Sequence, residues 1–176
     1  MSGTMLPTDA TAYCRRMDDL TPDDLHHLRR CVALAREALD AGDEPFGSLL
    51  VDPAGTVLRE ERNETSGGDQ TRHPELELAR WAATNVAEDV RPRCIVYTSG
   101  EHCPMCSAAH AWVGLGRIVY AGSTAQLSAW RSSWGLASGP VLPLSINAVA
   151  PGVPVSGPAP ELEAELRELH QRAAGI

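Results

Sequence analysis

HPELELARWAATNVAEDVRPRCIVYTSGEHCPMC, residues 73–106, carries the architecture of this chain. Leu76, Ala79 and Ala83 fall on one face of a helix that opens at His73 and runs to about Val86. Cys94 to Thr98 is a short apolar strand, and Ser99-Gly100-Glu101-His102 is a turn. Another helix starts near Pro104 and ends near Gly114. One helix, one loop and one strand therefore separate His73 from Cys103. In a layered fold that spacing brings the two helix starts together beside the sheet. Cys103 and Cys106, one helical turn apart, turn both sulfurs to the same side. A helix N-terminus also favours the thiolate, the state that binds a metal. His73, Cys103 and Cys106 thus offer three ligands to Zn²⁺, and three protein ligands leave a fourth position open, as catalytic sites require. Glu75 is left over from the ligand set and sits where a general acid/base belongs.

Outward from this stretch the chain continues to alternate. Thr21-Pro22-Asp23-Asp24 is a helix start, with a hydroxyl cap, proline at the first helical position and acids against the dipole. Leu25, Leu28, Val32, Ala35 and Leu39 follow at helical spacing until Gly42. Phe46–Val51 and Thr56–Asn63 read as a hairpin around the turn Asp52-Pro53-Ala54-Gly55. Arg117–Ala121 is a strand, a helix follows from about Thr124, and Leu142–Val149 reads as a last strand. Pro151–Pro160, with four prolines and two glycines, is an extended arm before an amphipathic helix over Glu161–Ala173. The order α-β-β-α-β-α-β-α predicts an α/β fold with a mixed sheet and helices on both faces. The expected organisation is a loose N-terminal leader over 1–18, one domain over 19–150, and a C-terminal arm and helix over 151–176. That last segment is read as a lid or a dimer contact.

Composition narrows the function. The formal net charge is −8, which suits nucleic acid poorly as a partner, because that affinity is largely electrostatic. All 15 basic residues are arginine. The absence of lysine excludes Schiff-base catalysis, a lysine-anchored pyridoxal cofactor and a P-loop. No apolar run reaches the roughly 20 residues that span a bilayer, so no membrane partner is expected. The N-terminus lacks the apolar core of a secretory signal, which points to the cytoplasm and to reduced thiols. Cys31 and Cys94 read as buried structural thiols.

The motifs have other readings. A lone CxxC also occurs as a redox pair, but a redox pair gives no reason for His73 and Glu75 at a second helix start. A structural zinc site wants four protein ligands and has no use for Glu75.

His73-Pro74-Glu75 with Cys103-Pro104-Met105-Cys106 resembles the signature of the cytidine/deoxycytidylate deaminase superfamily, in which H-x-E is paired with P-C-x-x-C. Glu44-Pro45-Phe46-Gly47, the strand ending at Asn63, Tyr97-Thr98 and Trp112 resemble bacterial guanine deaminases and related nucleobase deaminases more narrowly. The resemblance spans about Leu25 to Ala121. It implies a three-layer α/β/α fold with a five-stranded mixed sheet, zinc, and a homodimer whose subunits help close each other's sites. The activity it implies is hydrolytic deamination of a free amino-bearing base, a small heterocycle that is guanine-like, cytosine-like or modified.

The resemblance also implies substrate contacts. Asn63 would hydrogen-bond the base, Phe46 and Trp112 would wall it, and backbone amides near Gly47 and Ser48 would reach its polar edge. Glu101 would orient backbone or substrate. Each has a plainer reading: Asn63 as a turn cap, Phe46 and Trp112 as core. His102 stands where the signature has proline and reads as an exposed turn residue, and the segment after Trp130 does not resemble guanine deaminases. A deaminase of adenosine in transfer RNA and a non-catalytic zinc-stabilised binding module remain as alternatives.

Overall fold

A computed structural model describes residues 20–176. The leader over 1–18, with Cys14, lies outside the described residues. Helix α1 (Pro22–Asp40) begins at the expected cap: the Thr21 hydroxyl accepts from the Asp24 amide, and the Asp24 carboxylate accepts from the Thr21 amide. A hairpin follows, β1 (Gly47–Val51) and β2 (Val57–Arg62), then α2 (Pro74–Asn85), β3 (Ile95–Gly100), α3 (Pro104–Val113) and β4 (Ile118–Gly122). The chain closes with α4 (Thr124–Ser133), the one-turn α5 (Ile146–Val149), β5 (Val155–Ser156) and α6 (Glu163–Ala173).

The five strands form one sheet in the order β2-β1-β3-β4-β5. β1 runs antiparallel to both β2 and β3, whereas β4 and β5 run parallel to β3. This is the mixed five-stranded sheet expected. Every residue of the apolar run Gly47–Val51 is buried, because β1 has helices on both sides. Leu49 and Val51 face a core with Leu28 and Val32 of α1 and Leu166 and Leu169 of α6. Leu50 faces the opposite core with Leu78, Ala79 and Ala82 of α2. Three layers result. No helix among the described residues is long and apolar enough to cross a membrane.

Two expectations are corrected. The last strand is β5 at Val155–Ser156, within the arm, and not Leu142–Val149, which holds α5. Ile146 reads like a strand residue in sequence, but it is wholly buried on a helical turn. The arm is also no separate lid: β5 hydrogen-bonds to β4, and Leu162, Leu166 and Leu169 are core residues. In Pro151–Pro160 the proline content masks a strand too short to show a pattern.

Gly47 shows how tightly the site is built. A Cβ there would lie 2.4 Å from the Leu34 Cβ and 2.6 Å from the Cys31 carbonyl oxygen. Only glycine lets α1 approach β1 so closely.

Candidate metal centre and active site

The helix starts converge as the spacing requires. His73 caps α2, Cys103 caps α3, and Cys106 lies one turn into α3. The His73 Nδ1 lies 3.6 Å from the Cys103 Sγ and 3.7 Å from the Cys106 Sγ, and the two sulfurs are 3.5 Å apart. Tetrahedral zinc, with bonds of about 2.1 Å to nitrogen and 2.3 Å to sulfur, needs separations of about 3.6–3.8 Å between such donors. The three ligands therefore fit zinc in number, chemistry and spacing. They form the one such His/Cys/Asp/Glu group found among the described residues. Hydrogen bonds from Cys106 and His73 hold the Cys103 thiol well below the ordinary thiol range. The Cys103 contact raises the His73 value.

Glu75, on the first turn of α2, is 6% exposed and stands beside this triangle. Burial pushes its carboxyl up from the ordinary range. Its Oε1 accepts from the Thr98 hydroxyl at 2.9 Å and faces the Ser48 hydroxyl at 3.3 Å. The two hydroxyls lie 2.8 Å apart. Ser48 donates to Thr98 or to Glu75, and the single Thr98 proton is offered to the Glu75 carboxylate and to the Gly100 carbonyl, both at 2.9 Å. Sequence reasoning missed this pair. The family resemblance points only to the Ser48 backbone, and a buried hydroxyl on a strand gives no signal in sequence.

A cavity of about 320 Å³ opens from this centre. Phe46, His73, Glu75, Glu101, Cys103 and Pro104 line its metal end. Its far wall is one face of α4 and the loop 136–143. That wall also went unread in sequence, since Leu136–Pro143 lacks periodicity and nothing in the helix from Thr124 marks the face that meets the cavity.

The expected substrate contacts divide. Phe46 lines the cavity, braced by the His170 ring with centroids 5.2 Å apart. Asn63 is 1% exposed and its backbone amide donates to the Phe46 carbonyl, which sets it at the same edge of the sheet. Its side-chain oxygen accepts from the Thr65 amide and hydroxyl, leaving the amide nitrogen for another partner. Three expectations are corrected. Trp112 is 90% exposed and lines a shallow groove with Leu115 and Val153, so it walls no cavity within this chain. The Gly47 amide is spent on the Ser99 hydroxyl, and Ser48 lies mid-ladder in the sheet. Glu101 reaches the cavity and orients backbone there: its carboxylate accepts from the Thr124 and Ile146 amides and so ties down α4 and α5. His102 is no exposed turn residue. It is 1% exposed, edge-on to His110, and neither ring nitrogen has a partner among the described residues.

Residues 21–122 match the sequence family described as the cytidine and deoxycytidylate deaminase zinc-binding region. The Schizosaccharomyces pombe protein named "Probable cytosine deaminase" is 34% identical over 129 residues, 73% of this chain and 76% of that protein. Guanine deaminase of Bacillus subtilis is 36% identical over 95 residues, 53% of this chain and 61% of that one. Its solved structure superposes with a TM-score of 0.53 at 32% identity, covering 60% of this chain and 68% of that one. A tRNA-specific adenosine deaminase of Agrobacterium fabrum is 26% identical over 95 residues, 54% of this chain and 62% of that protein.

Proposed function

The chain belongs to the cytidine and deoxycytidylate deaminase family, and on that premise we propose that it is a zinc-dependent hydrolytic deaminase of a free amino-bearing nucleobase or related heterocycle. The observation that carries this reading is a buried carboxylate, Glu75, beside a three-donor triangle at the head of a cavity. Zinc held by His73, Cys103 and Cys106 supplies the Lewis acidity that makes water a nucleophile near neutral pH. Glu75 takes one proton from the attacking water and passes it to the ring nitrogen, then takes the second from the hydroxyl formed on the ring carbon and passes it to the departing amine. The amine leaves as ammonia and an oxo group remains. Thr98 and Ser48 hold the Glu75 oxygen during both transfers. Phe46 stacks on the flat base, and Asn63 offers its amide N–H to the base edge.

A free base suits the cavity better than transfer RNA. The net charge is −8, and eight arginines are already tied up in ion pairs with carboxylates. Little cationic surface is left for phosphates. We further propose a homodimer, with the exposed Trp112 face as its contact, and a reducing cytoplasmic setting that keeps both thiol ligands available.

Metal analysis and ammonia release test the reading together. The purified protein is expected to hold about one zinc per chain and to release ammonia from at least one base in a panel of cytosine, guanine, isoguanine and adenine with their nucleosides. Cys103→Ala is expected to lose most of the metal. Glu75→Gln is expected to keep the zinc and lose roughly 10²–10⁴-fold in rate. Full metal in Cys103→Ala, or normal turnover in Glu75→Gln, refutes the reading.

A further inference from the structure

The two ends of the cavity have different origins. The metal end comes from residues within the family span 21–122, whereas the far wall, α4 and the loop 136–143, lies beyond it. Specificity peculiar to this chain is therefore to be sought on the far wall. Thr124, Leu127, Ser128, Arg131 and Ser132 recur at helical spacing and turn one face of α4 to the cavity. Arg131 is the cation of that face. Its Nη2 donates to the Ala137 carbonyl at 3.2 Å, and Ala137 is itself a wall residue, so the guanidinium lies at the wall.

A guanidinium has five N–H donors and no acceptor, and one donor is spent here. Arg131 forms no ion pair with any described residue. Glu44, which shares a small neighbouring cavity with it, is not paired to it either. His170 on its other side is neutral, because burial and then the Arg131 charge push it down to about 4. The carboxylates that line the cavity are committed, Glu75 to the two hydroxyls and Glu101 to two backbone amides. No Asp or Glu occurs from 102 to 160, so the segment that supplies the far wall brings no acid. That wall can donate hydrogen bonds through Arg131 but presents no carboxylate to accept them.

We infer that Arg131 recognises a ring oxo group on the substrate, away from the amine that is lost, so that the substrate class is amino-oxo heterocycles and not heterocycles bearing amines alone. This rests on the deaminase reading above and deepens it. An oxo oxygen accepts a charge-assisted bond from the guanidinium. An amino group at the same position sets N–H against N–H and leaves both unpaired, which is a repulsive as well as a lost contact. Ser128 and Ser132 adapt to either and do not discriminate.

Two matched pairs, each exchanging one oxo for one amino group, test the inference: cytosine against 2,4-diaminopyrimidine, and guanine against 2,6-diaminopurine. Binding is measured by titration calorimetry on full-length, zinc-loaded protein carrying Glu75→Gln, so that ligands are not consumed. In at least one pair the oxo member is expected to bind at least about tenfold more tightly. Adding Arg131→Leu is expected to bring that ratio near one with zinc content unchanged, and Arg131→Lys to keep part of it. On the active enzyme, the loss in Arg131→Leu is expected in KM more than in kcat. Equal binding within both pairs, no binding of either oxo compound, or a ratio that survives Arg131→Leu overturns the inference. Ammonia release with no binding ratio sinks the Arg131 role alone. A ratio without ammonia release from any base sinks the deaminase reading alone.

Discussion

At the scale of single residues, the site depends on groups that do no chemistry themselves. In the proposed mechanism the buried Glu75 carboxylate must hold one orientation while protons move on and off it. The Thr98 hydroxyl at 2.9 Å supplies that constraint, and the Ser48 hydroxyl fixes Thr98 in turn. Thr98→Val keeps the shape and removes the donor. A hydrogen bond to a charged group contributes about 1.5–3 kcal/mol, so kcat is expected to fall about ten- to hundredfold, with KM and zinc content little changed. Thr98→Ser is expected to restore most of the rate, since it returns the hydroxyl. An unchanged kcat in Thr98→Val would show that Glu75 needs no such support.

At the scale of elements, the C-terminal segment belongs to the core. Leu162, Leu166 and Leu169 are nearly inaccessible and pack with Leu28, Val119 and Trp130. Each such leucine truncated to alanine costs about 2–5 kcal/mol, and a domain has only about 5–15 kcal/mol in hand. Deleting 151–176 is therefore expected to unfold the protein and abolish zinc binding, as read by circular dichroism and metal analysis. A folded, zinc-loaded truncation would contradict the sheet order found here. The elements legible in sequence were those with strong local chemistry. The α1 cap, the hairpin turn and the 73–106 unit with its ligands needed only spacing and capping rules. β5 was not legible because two residues between prolines and glycines carry no period. The burial of His102 and the commitment of Glu101 depend on segments distant in sequence, Glu101 bonding amides 23 and 45 residues away. The far wall of the cavity was missed for the same reason: its residues converge only once the sheet is built.

At the scale of the whole molecule, one surface feature lacks an explanation within the chain. Trp112 is 90% exposed on α3, the helix that carries both cysteines, and borders an apolar groove lined by Leu115, Val149, Pro151 and Val153. A tryptophan buries about 150–250 Å² when covered, and a two-fold contact covers the same patch on both copies. Two rings then remove on the order of 400 Å² of mostly apolar surface, or about 10 kcal/mol at about 25 cal/mol per Å². Association costs about 4–15 kcal/mol before other contacts count, so the two rings decide whether the dimer persists. Trp112→Glu places a charge on that face and is expected to give a monomer in sedimentation velocity at micromolar concentration, where the unaltered protein is expected to be a dimer. Because no metal ligand touches this face, the monomer is expected to keep its zinc. Its activity separates two roles for the partner: normal turnover means that each chain closes its own cavity with 136–143, and a large loss means that the second copy completes it. A monomeric unaltered protein, or a dimer indifferent to Trp112→Glu, would place the contact elsewhere.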